Sequence, residues 1–326
     1  MRRREVIAGL GAAAAWPLAA RAQDDRGRAI GVLMPYAESD AELEVRVAAF
    51  KQELGKRGWI EGKNLRFHER WATDDLERLR AHAAELVGLR PDVIIVTGRR
   101  VLPVIQQATR SIPTVFVWVT EPLGQGITSL ARPGGNITGF AAPELSVFGK
   151  LPEILKQIAP HLTRAALLFN PDNPAGASYA RQWESAAPAL AMRPAVVPVH
   201  GPADIERAVE SFAGEPNGGL LFPSDLTLLA HRELIIDLAA RHRLPAIYAD
   251  RIMVTSGGLV SYSADRTEMY RQAASYVDRI LRGEKPGDLP VQQPTRFELV
   301  INLGTAKALG LTIPLTLQAQ ADEVIE

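Results

Sequence analysis

The chain has 326 residues, a formal net charge of zero and no cysteine, and only 6% of its residues are aromatic. The lack of cysteine excludes disulfides, thiolate metal sites, catalytic thiols and lipid-modified cysteines. A chain of this length is too long for one compact core and suits two domains of ordinary size.

The first residues have the features of an export signal. Arg2–Arg4 form a positive region, an apolar run follows, and Ala20-Arg21-Ala22 matches the small–x–small pattern that precedes a signal-peptidase cut. We therefore predict that residues 1–22 are a signal peptide cleaved after Ala22 and that the mature protein is periplasmic. The pair Arg3-Arg4 approximates the twin-arginine export pattern, and a general Sec signal is the alternative.

Removal of this segment leaves a mildly acidic chain of about 300 residues, because the segment carries four Arg and one Glu. An acidic surface without basic runs argues against nucleic acid and anionic membranes as partners. Residues 9–14 fit a dinucleotide-binding fingerprint by letter, but no strand precedes them and no acidic residue follows at the ribose-binding spacing. We therefore expect no cofactor.

Short apolar segments alternate with longer amphipathic ones along the chain, which is typical of parallel strands joined by helices. The predicted strands are 29–34, 65–71, 93–97, 114–119, 137–140, 165–169, 195–199, 219–222, 246–248, 259–262 and 297–302, with 65–71 at an edge. The predicted helices are 41–57, 74–89, 99–109, 145–158, 174–190, 203–213, 226–242, 267–282 and 305–309.

This alternation predicts an α/β protein with two doubly wound, Rossmann-like lobes. The elements after Tyr262 can return to either lobe, so the chain would pass between lobes near 140–143, 262–264 and 292–295. We predict lobe 1 at 28–140 plus 263–293 and lobe 2 at 141–262 plus 294–326. A single α/β barrel is the rival architecture, but the short segment 137–140 breaks the even rhythm of eight strands that a barrel needs.

Ligands of open α/β sheets bind at the carboxyl ends of strands, where helix N-termini also point. The candidate ligand-binding residues of lobe 1 are therefore Tyr36, Glu38, Thr97, Gly98, Trp118 and Thr120. Thr97-Gly98 fits a ligand carboxylate, although Thr97 is also a plausible N-cap of the next helix. Trp118 fits a pocket wall, although a Trp at the end of a buried run more often belongs to the core.

The corresponding candidates of lobe 2 are Asn170, Ser224, Asp225, Tyr248 and Tyr262. Asp225 is the preferred partner for a ligand ammonium, and a helix N-cap is its simpler role. Asn170 can make a turn that leads into the next helix. The aromatic candidates of both lobes could form apolar walls, with a cation–π contribution if the ligand is cationic.

Catalytic patterns are weak in this sequence. Residues 176–180 resemble a nucleophile elbow, but residues 171–175 separate them from the preceding strand. The six His residues are scattered and no H-E-x-x-H pattern occurs. These patterns give no support to a catalytic site, so we predict that the chain is not an enzyme and has no metal site.

Several motifs carry a resemblance to one family. They are R-P-G-G-N-I-T-G-F at 132–140, N-P-D-N-P at 170–174, L-P-A-I-Y at 244–248, G-G-L-V-S-Y at 257–262, and the long tail from Leu289 to Leu311. Together with W-P-L-A-A-R-A-Q at 16–23, they resemble the tryptophan/tyrosine-type substrate-binding proteins of ABC transporters. The resemblance covers essentially the whole chain, and its tail motif is the most specific.

The resemblance implies a type I periplasmic binding protein, with two lobes, a three-strand hinge, a ligand in the cleft and no catalysis. It implies that the protein delivers a small organic ligand to an inner-membrane ABC permease. An amino acid, or an aromatic compound like one, is the expected ligand, and we expect a monomer. A periplasmic ligand-sensing module for a signalling receptor is the alternative.

Overall fold

The computed structural model describes residues 27–326 except 39–40, 74, 121, 124–125, 144–146 and 174. The predicted signal peptide therefore lies outside the described residues. The chain divides into two compact units. Unit 1 comprises the described residues up to Ala141 together with Arg266–Gln292, and unit 2 comprises Ala142–Asp265 and Gln293–Glu326.

The chain passes from one unit to the other three times, after Ala141, Asp265 and Gln292. The second passage, after Asp265, falls slightly later in the chain than the predicted position at 262–264. The reason is that the strand containing Tyr262 continues to Ala264, where it still pairs with Phe297 inside the sheet of unit 2. The predicted class, an α/β protein with two doubly wound lobes joined by three chain passages, is confirmed.

Unit 1 is built on a five-stranded parallel sheet in the order β2-β1-β3-β4-β5. Its strands are β1 (Arg28–Met34), β2 (Leu65–Trp71), β3 (Val93–Thr97), β4 (Thr114–Val119) and β5 (Ile137–Ala141). The helices between them are α1 (Ala41–Lys56), α2 (Leu76–Gly88) and α3 (Val101–Ala108), and a further helix of unit 1, α10 (Arg266–Leu281), comes from the later part of the chain.

The burial of each strand in unit 1 follows from its position in the sheet. Strands β3 and β4 are buried along their whole length because helices cover both faces of a parallel sheet. Strand β2 lies at the edge, as predicted, and is buried fully only at Leu65. Helix α10 packs against α1, β4 and β5, so unit 1 is completed by residues far along the sequence.

Unit 2 is built on a seven-stranded sheet in the order β12-β11-β10-β9-β8-β6-β7. Its strands are β6 (Arg164–Phe169), β7 (Arg193–Pro198), β8 (Gly218–Phe222), β9 (Ala246–Tyr248), β10 (Val260–Ala264), β11 (Phe297–Asn302) and β12 (Glu323–Ile325). Its helices are α4 (Lys150–Ile158), α5 (Gly176–Ala186), α6 (Pro202–Ala213), α7 (Leu226–Ala230), α8 (Arg232–Arg241), α9 (Arg251–Thr255), α11 (Leu303–Ala308) and α12 (Leu315–Gln318).

Two hydrophobic cores lie on the two faces of the unit 2 sheet. Alternate strand residues belong to different cores, because successive side chains of a strand point to opposite faces. Thus Leu167 and Ile247 belong to one core, whereas Leu168 and Tyr248 belong to the other. This is the packing expected of a sheet covered by helices on both sides.

Three details of unit 2 differ from the sequence-based expectation. The helix predicted at 226–242 is two helices, because the chain leaves the α-helical conformation at His231 (φ −107°, ψ 24°). The short helices α9 and α12 were not predicted. Strand 297–302 is not the final strand, since β12 pairs parallel to it at Glu323–Ile325.

None of the helices among the described residues is both long and apolar enough to cross a membrane.

Candidate functional site

In unit 1 the predicted ligand-binding residues lie at one edge of the sheet. Strands β1, β3 and β4 are parallel neighbours, so their carboxyl ends lie side by side. Tyr36 follows β1, Thr97 ends β3 and is followed by Gly98, and Trp118 and Thr120 flank the last residue of β4. Glu38 lies two residues beyond Tyr36 and is exposed. The structure therefore brings this predicted set together.

Thr97 is bonded to helix α10. Its Oγ1 lies 2.6 Å from the Tyr270 hydroxyl oxygen, in a buried hydrogen bond in which either group can donate. Burial raises the pKa of Tyr270 well above its usual value of about 10. Thr97 does not cap α3, which starts at Val101 after Arg100 and has no side-chain cap. Both the hydroxyl of Thr97 and the amide of Gly98, which donates to Val117 O at 3.1 Å, are thus engaged within unit 1.

Trp118 has an unusual backbone conformation. Its φ is +60°, in the left-handed region that a bulky side chain rarely adopts, and the pairing of β4 with β5 shifts register between Val117 and Val119. Such bulges re-aim side chains and are frequent next to binding and active sites. Here the bulge places the Trp118 ring against the guanidinium of Arg266, whose Cζ lies 3.9 Å from the ring centroid.

Arg266 and Arg46 are functional candidates that the sequence reasoning missed. Both are largely buried, Arg46 on α1 and Arg266 at the start of α10. Their charges act on the same group, since both favour the ionised form of the Tyr270 hydroxyl. The sequence does hold a signal for Arg266. This basic residue lies between the predicted strand 259–262 and the predicted helix 267–282, and the other candidates were chosen because they too follow predicted strands.

In unit 2, Asn170, Ser224 and Asp225 follow β6 and β8 and are linked by hydrogen bonds that run through Asn173 and Thr227. Asp225 Oδ1 accepts from the amides of Thr227 at 2.8 Å and Leu228 at 3.2 Å, so Asp225 is the N-cap of α7. Its Oδ2 accepts from Asn173 Nδ2 at 2.8 Å. This nearly buried carboxylate therefore has a structural role, and the capping interpretation of Asp225 is confirmed.

Asn170 and Asn173 shape the loop that carries this group. Asn170 Oδ1 accepts from the Asp172 amide at 2.9 Å, the turn that the sequence predicts, and Asn170 Nδ2 donates to Thr227 Oγ1 at 2.8 Å. Asn173 Nδ2 also lies 3.4 Å from the carbonyl oxygen of Ser224. The loop after β6 and the start of α7 are therefore held together by side-chain amides.

Tyr248 belongs to the core of unit 2. It is 1% exposed, its ring stacks on Phe222 at 5.3 Å, and burial raises its pKa strongly. A cavity of about 10 Å³ lies beside it and is lined by Asp225 and Asp250, among others. That volume is about the least that can hold one water molecule. The Tyr248 ring thus packs inside the unit.

Tyr262 is half-buried on β10 and stacks on Phe297 of β11, with ring centroids 5.8 Å apart. Close by, burial and the charge of Asp265 raise the pKa of Glu298. Within the described parts of the chain, no group of three or more His, Asp or Glu side chains could hold a metal ion.

In sheets of mostly parallel strands, small molecules bind at the carboxyl ends of the strands, where several of the polar and aromatic candidates of this chain lie. The chain belongs to the family of ABC transporter substrate-binding proteins, whose model matches residues 30–325. Proteins of this family bind substrates and are not enzymes, and they work with a membrane permease.

Individual relatives support this assignment. A tyrosine-binding protein of Clostridioides difficile is 24% identical over 270 residues, which cover 82% of this chain and 77% of that protein. A conserved domain protein of Vibrio cholerae has a crystal structure with a TM-score of 0.81 and 27% identity, covering 91% of this chain and 99% of the other. An ABC domain from Streptococcus pneumonia in complex with L-Trp gives a TM-score of 0.82 at 21% identity, covering 92% and 100% of the two chains.

Proposed function

We propose that this protein is the periplasmic solute-binding component of an ABC importer and that its ligand is an aromatic or closely related amino acid. The match of the family to residues 30–325 carries the proposal. The tyrosine-binding and L-Trp-bound relatives support the ligand class. Tyr36 and Trp118 lie near strand ends and Tyr262 lies within β10, and their aromatic side chains suit a ligand with an aromatic side chain.

The location and the partner are part of the same proposal. Residues 1–22 direct export through the twin-arginine or the Sec route, and cleavage after Ala22 gives a mature chain that begins at Gln23. The mature protein works as a monomer that presents its ligand-bound form to an inner-membrane permease. The ligand would favour the conformational state to which it binds more tightly, and the permease would recognise that state.

The ligand proposal is tested on mature protein by calorimetry with L-tryptophan, L-tyrosine and L-phenylalanine, with L-leucine and myo-inositol as counter-ligands. Mass spectrometry of the small molecule that copurifies with the protein gives an independent answer. We expect saturable binding of at least one aromatic amino acid and none of myo-inositol. Binding of myo-inositol with no response to any amino acid would contradict the ligand class.

Export is tested separately by N-terminal sequencing of protein from the periplasmic fraction. We expect Gln23 as the first residue. Mature protein that retains Arg2–Arg4 would overturn the export part of the proposal and leave the ligand part standing.

A further inference from the structure

We propose that Glu298 of unit 2 binds the ammonium group of the ligand and that the hydroxyl of Ser263, on the neighbouring strand, accepts a hydrogen bond from the same group. The inference deepens the proposed function and rests on it, because it takes an amino-acid ligand as given and names the residue that recognises its positive end. The sequence suggested Asp225 for this role.

Glu298 and Ser263 lie opposite each other at the carboxyl edge of the unit 2 sheet. They pair directly in the antiparallel ladder of β10 and β11, where the Cβ atoms of opposite residues are about 4.5–5.5 Å apart. Ser263 is the last but one residue of β10, and β10 runs parallel to β9. Ligands of open α/β sheets bind at this edge.

Both side chains point to one face of the sheet. Successive residues of a strand alternate between faces, and Glu298 lies two positions from Val300, which belongs to the same core as Tyr248. Ser261 pairs with both of these core residues, and Ser263 lies two positions beyond it. Ser261, Ser263 and Glu298 therefore form a polar strip next to this core.

The polar groups of this strip have no partner within the described part of the chain. Ser261 is fully buried, and its Oγ makes no hydrogen bond. Ser263 is 5% exposed, and neither its hydroxyl nor the Glu298 carboxylate forms a hydrogen bond or an ion pair in the described residues. Buried polar side chains in proteins are almost always bonded, so each exception requires a reason. A ligand that donates hydrogen bonds accounts for Ser263 and Glu298 together.

The charge of Glu298 is incompletely compensated inside unit 2. Burial raises the pKa of Glu298, and the charges of Asp265 and Asp322 raise it further. The charges of Arg251 and Arg296 act in the opposite direction but do not cancel the effect. A half-buried carboxylate in this state gains stability from a cation that brings its own hydrogen-bond donors, and a primary ammonium has three.

Asp225, the residue that the sequence suggested, differs from Glu298 in its bonding. Its Oδ1 accepts from the amides of Thr227 and Leu228, and its Oδ2 accepts from Asn173 Nδ2. The carboxylate of Asp225 is therefore stabilised by unit 2 itself. Glu298 has no comparable donors among the described residues, so the structure favours Glu298 over Asp225 as the partner of a ligand ammonium.

The first test compares ligands with and without an ammonium group. L-tryptophan and L-tyrosine are measured against indole-3-propionate and 3-(4-hydroxyphenyl)propionate, which lack only that group, by calorimetry on wild-type mature protein. We expect the propionates to bind at least about tenfold more weakly. Equal affinity of the amino acids and the propionates would overturn the proposal, and this comparison needs no variant.

The variants are Glu298→Gln and, as a matched control, Glu215→Gln. Glu215 precedes β8 at the opposite edge of the same sheet, where it is exposed and paired with Arg193. We expect Glu298→Gln to weaken binding of the amino acid roughly thirty-fold or more and binding of the propionate less than about twofold. Glu215→Gln should change neither. Ser263→Ala should weaken binding of the amino acid by a smaller factor, because it removes a neutral acceptor and keeps the charge.

Thermal denaturation of the same samples separates ligand recognition from a structural role. Because burial disfavours the charged form of Glu298, Glu298→Gln should unfold at the same temperature as the wild type or above it. Wild-type affinity for the amino acid in Glu298→Gln would overturn the proposal. If this variant fails to fold, the comparison of ligands on wild-type protein decides.

Failure of the ligand class can be told apart from failure of this inference. If wild-type protein binds no amino acid, the ligand class proposed above fails by itself. The small molecule released from purified protein by denaturation then decides the role of Glu298. A compound with an amine or another cationic group supports the role, and a compound without one contradicts it.

Discussion

The hydroxyl oxygens of Thr97 and Tyr270 lie 2.6 Å apart although 173 positions separate them in the sequence. This buried hydrogen bond joins the end of β3 to α10, the helix that reaches unit 1 only at the second passage of the chain. Met34 Sδ, at the end of β1, lies 3.8 Å from the same Tyr270 oxygen. Tyr270 therefore connects the carboxyl ends of two neighbouring strands.

Loss of this hydrogen bond should destabilise unit 1. In Tyr270→Phe or Thr97→Val the remaining hydroxyl is left buried, which costs about 1–3 kcal/mol in the free energy of unfolding. The double variant replaces both polar groups with apolar ones, so its loss should be smaller than the sum of the single losses. Urea denaturation of the three variants measures this, and strict additivity would show that the two hydroxyls do not stabilise each other.

Stability should fall at alkaline pH because of two buried tyrosines. Burial raises the pKa of Tyr248 and of Tyr270, so above pH 10 their phenols stay protonated in the folded protein and ionise when it unfolds. The folded state then binds more protons, and the free energy of unfolding falls by about 1.4 kcal/mol per pH unit for each residue. The stability that these tyrosines contribute is intact below about pH 10, which is the pKa of tyrosine in the unfolded chain. It is lost as the pH rises through the higher pKa of the folded state.

The measurement is urea denaturation of wild-type protein, Tyr248→Phe and Tyr270→Phe as the pH is raised from 10. Each variant should show a shallower fall than the wild type, and the phenolate absorbance of the folded protein should lag behind that of the unfolded chain. An unchanged slope in both variants would mean that these phenols ionise normally in the fold.

Asp225 has two candidate roles that two substitutions separate. Asp225→Ala removes both the N-cap of α7 and the charge, and the cap alone is worth about 1 kcal/mol of stability. Asp225→Asn keeps an oxygen that can accept from the amides of Thr227 and Leu228, but its side-chain nitrogen replaces the oxygen that accepts from Asn173 Nδ2. If Asp225 also receives the ligand ammonium, as the sequence suggests, both variants should bind the amino acid roughly thirty-fold more weakly.

Calorimetry with the amino acid and thermal denaturation of the same samples test these roles together. A loss of stability in both variants that is larger in Asp225→Ala, with wild-type affinity in both, would restrict Asp225 to its structural role. The ammonium partner would then have to be sought elsewhere.

Gly139 in β5 should not tolerate a side chain. A Cβ built there would overlap the carbonyl oxygen of Phe116 and lie 2.7 Å from the Phe116 nitrogen on β4. Gly139→Ala therefore forces β4 and β5 apart, and we expect a loss of about 3 kcal/mol or more in the free energy of unfolding.

Gly55→Ala is the matched control for this substitution. Gly55 lies in α1 with nothing within 4 Å of the position of a Cβ, so alanine should be neutral or stabilise by about 0.5–1 kcal/mol. Similar denaturation midpoints for the two variants would contradict the close approach of β4 and β5.

The sequence predicts the elements of this fold well, because their signals are local. The strands 65–71, 93–97, 114–119, 246–248 and 297–302 have the predicted bounds. Buried parallel strands such as 93–97 are unbroken apolar runs between turn residues, and the edge strand 65–71 alternates. The missed elements are α9, α12 and β12. They span 251–255, 315–318 and 323–325, which is too short for a periodic pattern to emerge.

The site is less predictable, because its contacts join distant positions. Polar residues at strand ends identify Thr97 and Asp225, but no local pattern pairs Thr97 with Tyr270 or Trp118 with Arg266. The positive φ of Trp118 also depends on the pairing of β4 with β5 rather than on the type of the residue. The depth at which Tyr248 lies is likewise decided by helices that pack over β9.

The three passages of the chain bear on how the protein is made. Unit 1 lacks α10 until the ribosome has passed residue 281, and the sheet of unit 2 lacks β12 until residues 323–325 are added. Neither unit is a continuous stretch of sequence, so unit 1 cannot be completed before residues 266–292 are made, and unit 2 cannot be completed before residues 293–326 are made. The earlier segment of each unit must wait for a later one, and no single cut in the chain would release an intact unit.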